Sequence, residues 1–337
     1  MLCSITTASL RLLSLFRVLP SPGNRHQTVN AGTTRFTTAT PLLTLIRQAE
    51  SVKFVYSKKR VGDLSLNVVE TQSERPTLVM LHGVTRRWQT FLPVANAFAL
   101  RHRLMLIDLR GHGDSDRAQG YAVTDYVDDV CNLIHDHIPG PVALYGHSLG
   151  AMTVAGVATR LGRHVSAIIM EDPPLETMGA RIGHTPLLNY FTGVSQFAGS
   201  TLHTGHLARQ LGDVTFRDPD SGNELRVGDT RDDAQLRFAA SCLKRLDPAV
   251  FAPILLSQWL LDYNIDEVFS GLKCPSLLLQ ADYNAGGMLT DQDARHVCAL
   301  NADIMRVRFD GVAHGIHWTA SQQLLNAALP FLESVHR

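Results

Sequence analysis

The sequence predicts an α/β protein: a mostly parallel, doubly wound sheet with a helical cap inserted before its last strands. Three observations carry this. Short uninterrupted apolar runs recur along the chain, the pattern of parallel strands covered on both faces. Stretches with helical spacing lie between them, and such alternation builds a sheet flanked by helices. The alternation then fails between residues 174 and 269, which is too long for a simple connection and reads as a separate helical layer.

The elements follow in order. Residues 53–58 and 64–70 alternate apolar and polar around Gly62-Asp63, which predicts a hairpin of half-buried strands. Apolar strands are expected at 77–81, 104–107, 142–145, 165–170 and 276–279. The run 305–309 alternates and suits a sheet edge. Helices are expected at 88–99, 123–137, 149–160, 291–299 and 316–335. Thr290 followed by Asp293 marks a helix start. Inside the insertion, residues 202–211, 234–243 and 253–261 have helical spacing, and 218–233 reads as an exposed polar loop. The division expected is therefore a core of residues 50–173 and 270–337 with a cap of residues 174–269.

Composition narrows the classes. With 45% apolar and 18% charged residues, disorder is excluded as the main state. No apolar run approaches a membrane span, so no integral membrane segment is expected. Lys+Arg and Asp+Glu are both 31, which gives no sign of a nucleic-acid partner. The balance is uneven, however. Residues 1–49 hold five Arg, no acid and 13 Ser or Thr. That segment reads either as an organelle transit peptide or as a flexible extension, and the expected compartment is mitochondrial or cytoplasmic accordingly. Five cysteines without a CxxC pair suggest buried thiols in a reducing compartment, with neither a disulfide framework nor a zinc site.

The chemistry concentrates in a few places. Gly146-His147-Ser148-Leu149-Gly150 follows an apolar run and opens a helix, so Ser148 stands on a strained strand–turn–helix bend as a nucleophile. A serine hydroxyl needs a base. His314, in the loop after the last strand, is the candidate, with His317 read as a supporting or surface residue. The base needs a carboxylate. Asp282, after the penultimate strand, ranks first; Asp172, after the strand that follows the nucleophile helix, is the alternative, and Glu171 a remote third. An oxyanion hole is expected from the backbone N–H groups of Leu149 and Val84.

His82 reads as a buried anchor or a substrate contact, and Trp259 and Trp318 are further substrate-binding candidates. Trp88, Phe191 and Phe197 read as core more readily than as pocket. The Gly-rich stretch 108–115 lacks the phosphate-loop pattern and reads as a turn that buttresses the active-site loops. His184, His203 and His206 lack metal-ligand spacing, so no metal is expected.

Taken together, His82-Gly83, the stretch 108–115, the pentapeptide 146–150 and His314 resemble the α/β-hydrolase superfamily, in its serine-nucleophile, esterase-like branch. The resemblance implies the α/β-hydrolase fold over residues 52–173 and 270–335 and a triad in the order Ser, acid, His. One departure stands out: many members carry G-x-x-D after the penultimate strand, where this chain has Ala281-Asp282-Tyr283-Asn284. The expected activity is cofactor-independent serine hydrolysis of a small or medium acyl substrate, a carboxylic ester first. A C–C bond hydrolase, a lactonase and a non-catalytic binding protein on the same fold are the alternatives. The homo-oligomeric state is left open.

Overall fold

The structure, a computed structural model, describes residues 52–217 and 222–335. The transit-like or extended segment read at residues 1–49 lies outside the described residues. Eight strands form one sheet in the order β1 (Phe54–Val61), β2 (Leu64–Thr71), β4 (Arg103–Ile107), β3 (Thr77–Leu81), β5 (Val142–His147), β6 (Val165–Glu171), β9 (Ser276–Ala281) and β10 (Ile304–Phe309). β1 and β2 form an antiparallel hairpin, and β2 meets β4 antiparallel; every later pairing is parallel. The doubly wound sheet, the opening hairpin and the edge position of β10 match the sequence reading.

The parallel strands read as continuous apolar runs because successive side chains enter two different cores. Val79, Leu81, Leu144, Ile168, Met170 and Leu278 face one core, which α2 (Val123–His137) and α3 (Leu149–Leu161) cover. Leu78, Met80, Tyr145, Ile169, Leu277 and Leu279 face the other, covered by α1 (Leu92–Ala99) and the C-terminal helix. Cys131, Cys242 and Cys274 are buried free thiols, and Cys298 is half-buried.

Some expected helices are divided. Residues 88–99 form a 3-10 turn, Trp88–Phe91, and then α1, whose Pro93 sits in the first turn, where a missing N–H costs little.

The insertion holds α4 (Leu187–Ser195), α5 (Thr204–Gly212), α6 (Asp233–Leu243), α7 (Ala252–Leu255) and α8 (Ile265–Ser270). The helix expected at 253–261 stops after one turn, because Ser257 and Asp262 take left-handed backbone angles of 55° and 58° in φ. The loop expected at 218–233 is also corrected where it is described. A small hairpin, β7 (Thr215–Arg217) with β8 (Glu224–Arg226), leads into a 3-10 turn. Leu225, Val227, Thr230 and Arg231 are buried there, since the hairpin packs on α4 and the 3-10 turn packs on α5. α9 (Asp291–Leu300) starts at the Thr290 cap, as expected. The stretch 316–335 splits into α10 (Ile316–Thr319) and α11 (Ser321–Val335). Among the described residues, no helix is long and apolar enough to cross a membrane.

Candidate active site

β5 ends in a turn that only small flanking residues permit. Ser148 has φ 57° and ψ −115°, a strained conformation between strand and helix. A Cβ at position 146 would lie 2.0 Å from the carbonyl oxygen of Gly150, and one at position 150 would lie 2.0 Å from the carbonyl oxygen of Leu81. Both glycines are therefore required by close backbone approach. The Ser148 N–H donates to the carbonyl of Glu171 at 2.9 Å, which ties the bend to β6.

The acid beside His314 is Asp172. His314 Nδ1 donates to Asp172 Oδ2 at 2.6 Å. The Asp172 carboxylate is fully buried and also accepts the N–H of Met288 at 2.7 Å, Ala281 at 3.2 Å and Leu289 at 3.3 Å. Its φ of 46° turns the chain at the end of β6. Asp282, ranked first from sequence, is not brought to the histidine. Its Oδ1 accepts the N–H of Asn284 and its Oδ2 the N–H of Gly311, both at 2.9 Å, so it ties the loop after β9 to the loop after β10. With both oxygens used in that tie, it is a structural acid.

Glu171 belongs to a neighbouring buried network. Its carboxylate accepts the Tyr145 hydroxyl, and the His317 N–H and Nδ1 at 2.9 Å each. His317 Nε2 lies 2.9 Å from Thr90 Oγ1, which accepts Trp318 Nε1 at 3.0 Å. A neutral His317 satisfies this whole chain, the Thr90 hydroxyl donating to Nε2. His317 is therefore buried rather than on the surface.

His147 lies between the two histidines, with ring centroids 4.5 Å from His314 and 4.8 Å from His317. Its Nε2 donates to the carbonyl oxygen of His314 at 3.1 Å, which fixes the loop that carries His314. Burial, together with His314 and His317, holds its pKa well below the ordinary histidine range. His147, Glu171 and His317 offer donor atoms within 4.8 Å of one another, a spacing a cation can use. Hydrogen bonds already occupy the Glu171 carboxylate and both nitrogens of His317, so a cation would have to displace them. The chemistry of this donor set fits an internal network better than a metal.

The loop after β3 is held by neutral imidazoles. His82 Nδ1 donates to the Gly83 carbonyl at 2.8 Å, and its Nε2 accepts the Leu109 N–H at 3.1 Å. Burial pushes its pKa down to about 4. His112 Nδ1 donates to the Arg110 carbonyl at 2.8 Å, and its Nε2 accepts the Thr85 N–H at 3.3 Å; burial and the adjacent His82 push it down to about 3. Asp108 Oδ1 accepts the Trp88 N–H at 2.8 Å. The stretch 108–115 is thus a buttress for this loop. Gly83 abuts the bend at Ser148, since a Cβ there would lie 3.0 Å from Ser148 Cβ. Among the described residues, the N–H groups of Val84 and Leu149 have no protein acceptor.

A cavity of about 100 Å³ is lined on the core side by Arg86, Thr90, His147, His314 and Trp318. The insertion supplies Arg231, two residues before α6, and Gln235 and Phe238, one turn apart on α6. Trp318 stacks on Phe238 with centroids 5.2 Å apart. His82 and Trp259 do not reach this cavity. His82 is a fully buried anchor and Trp259 a core residue, 1% exposed, because each packs beneath the loops rather than between them. The sequence reading missed Arg86, Arg231, Gln235 and Phe238. The only signals for them were the position of Arg86 beside the Gly83 loop and the spacing of Gln235 and Phe238 in the first turns of α6. A wider cavity, about 880 Å³, lies between α5 and α6 and shares only Arg231 with the first.

Residues 78–327 match the model of the alpha/beta hydrolase family. The chain is 35% identical over 137 residues to the 2-(acetamidomethylene)succinate hydrolase of Mesorhizobium japonicum, a match covering 38% of this chain and 49% of that protein. It is 34% identical over 88 residues to an (E)-2-((N-methylformamido)methylene)succinate hydrolase of Acinetobacter baylyi, covering 26% of this chain and 34% of that protein. The matches thus span half or less of those relatives. Among solved structures, an E-2-(acetamidomethylene)succinate hydrolase aligns with TM-score 0.61 at 21% identity, covering 83% of this chain and 100% of that one. The enol-lactonase of Burkholderia xenovorans aligns with TM-score 0.62 at 16% identity, covering 82% and 100%. At those identities the structural likeness speaks for the fold alone. The family match over residues 78–327 establishes that this chain belongs to the alpha/beta hydrolase family.

Proposed function

We propose that the chain is a serine hydrolase with Ser148 as nucleophile, His314 as base and Asp172 as the acid that orients it. The observation that carries this is the 2.6 Å bond from His314 Nδ1 to a buried Asp172 carboxylate, on the same sheet end as a strained serine. With Nδ1–H held by the acid, Nε2 presents its lone pair. No hydrogen bond joins Ser148 Oγ to His314 Nε2 among the described residues, a looseness common in unliganded sites. Nε2 takes the hydroxyl proton as Oγ attacks the acyl carbon. The tetrahedral oxyanion accepts the N–H groups of Leu149 and Val84. The bond to the leaving group breaks, and His314 returns the proton to it. Water, deprotonated by His314, then cleaves the acyl-enzyme and regenerates Ser148.

The substrate reading is a small or medium acyl compound, a carboxylic ester first. Support comes from the small cavity at His314, whose volume is of the order of a short acyl group. Residues 174–269 act as the cap that shapes it. Hydrolysis of p-nitrophenyl esters from acetate to palmitate tests this. Turnover is expected to peak at a short chain and to fall ~10⁴-fold or more in Ser148→Ala. Wild-type turnover retained in that variant contradicts the proposal. A protein whose serine is labelled by a fluorophosphonate, yet which cleaves no ester, points instead to C–C or lactone cleavage.

A further inference from the structure

Trp318 and Phe238 meet at the cavity beside His314 from two parts of the chain. Trp318 stands on α10 and Phe238 on α6 of the insertion. Their ring centroids lie 5.2 Å apart with 38° between the planes, a tilted aromatic contact. Both rings line the cavity, yet Trp318 is 39% exposed and Phe238 half-buried, so the pair stands between the cavity and solvent. Thr90, His147 and His317, by contrast, are buried and form the inner side. One short core segment, residues 87–90, holds both rings. Thr90 Oγ1 accepts the indole N–H of Trp318 at 3.0 Å and lies 2.9 Å from His317 Nε2, while His317 Nδ1 donates to the buried Glu171 carboxylate at 2.9 Å. Arg87 Nη2 donates to Ser241 Oγ at 3.2 Å, and that hydroxyl donates to the Phe238 carbonyl at 2.7 Å. The indole is thus fixed directly, and the turn of α6 that carries Phe238 is fixed through its backbone. The space behind them is about 100 Å³, smaller than the ~150 Å³ of an apolar cavity that takes up benzene.

We propose that the Trp318–Phe238 contact is the wall that sets the size limit of this site, so that these two side chains exclude long acyl chains. This rests on the serine-hydrolase reading for the bond that is cleaved, and adds to it the residues that determine acyl length. Removing either ring breaches the wall. Further methylenes then run out along the apolar face of the ring that remains.

The test runs the p-nitrophenyl ester series on the full chain as wild type, Phe238→Ala, Trp318→Ala and the double variant. The ratio of kcat/KM for octanoate over acetate is expected to rise about 10-fold or more in each single variant, since a single methylene that a pocket admits or refuses already counts for that much. In the double variant the rise is expected to fall short of the product of the two single effects, because either loss alone opens the same wall. Phe238→Leu keeps apolar bulk on α6, guards against a variant that unfolds, and is expected to move the ratio in the same direction by a smaller factor. A ratio that stays at its wild-type value in both alanine variants, or single effects that multiply in full, overturns the proposal. The same proteins are titrated calorimetrically with butanone and with methyl hexyl ketone, which carry no leaving group. The preference for the longer ketone is expected to rise about 10-fold over wild type in each alanine variant, and an unchanged preference overturns the wall. This second readout needs no turnover. If no ester is cleaved and a fluorophosphonate leaves Ser148 unlabelled, the serine-hydrolase reading falls, while the ketone titration still decides whether these two rings limit the cavity.

Discussion

A carboxylate helps an imidazole only if both of its oxygens are held in place, and Asp172 meets that requirement. Three backbone N–H groups and His314 Nδ1 converge on it. An amide cannot replace it: in Asp172→Asn an NH₂ group must face either those N–H donors or Nδ1. If it faces Nδ1, the ring turns to the tautomer protonated on Nε2 and can no longer accept the serine proton. We expect Asp172→Asn to lower kcat by ~10⁴-fold, and Asp282→Asn to change it by no more than about threefold, since Asp282 only ties two loops. Parallel steady-state kinetics decide it; equal losses in both variants contradict the assignment. The sequence could not separate these two aspartates. Their strands, β6 and β9, are neighbours with Glu171 opposite Leu279, so both acids emerge on the same end of the sheet. What chooses between them is the left-handed turn at Asp172, which aims its side chain at the loop after β10. The same limit applies to Arg86 and Arg231, which are far apart in sequence and line one cavity only in the folded chain.

At the scale of elements, the site depends on how closely α3 follows β5 and passes β3. The space between Gly150 and the Leu81 carbonyl is already filled by backbone, and neither strand nor helix can move without breaking the sheet. Gly150→Ala is expected to destabilise the protein by about 3 kcal/mol or more, at the upper end for overpacking. Gly183→Ala, where a Cβ meets nothing within 4 Å, is expected to stay within about 0.5 kcal/mol. Urea midpoints of the two variants provide the comparison, and a benign Gly150→Ala would show that the bend tolerates displacement. These elements were legible in the sequence because burial on both faces writes strands as apolar runs and the bend demands its glycines. The cap was less legible. α7 stops short of Ser257 and Asp262, which take positive φ, and β7 pairs with β8 over only three residues. Neither event leaves a periodic trace.

The whole molecule carries an acid sensitivity that follows from the same architecture. The loops around Ser148 are pinned by buried histidines that must stay neutral, since each uses one ring nitrogen as an acceptor of a backbone N–H. His82 is depressed to about 4 and His112 to about 3, while an unfolded histidine titrates near 6.5. Between those values the unfolded chain binds more protons than the folded one. Stability is therefore full above pH 6.5 and is lost as pH falls toward 4. Each group contributes a slope of about 1.4 kcal/mol per pH unit in that window, so going from pH 7 to pH 5 removes about 2 kcal/mol for each, about 4 kcal/mol for the pair. Against a typical total of ~5–15 kcal/mol that loss is large. His147, depressed for the same reason, adds to it in the same direction. Urea unfolding at pH 7, 6 and 5 is expected to show the midpoint falling steeply. His112→Asn should be less stable at pH 7 but lose stability less steeply on acidification, because one of the groups that must charge on unfolding is gone. An unfolding free energy that stays level from pH 7 to pH 5 would mean that these imidazoles accept protons without releasing the loops, and that the loop after β3 is held by packing rather than by their lone pairs.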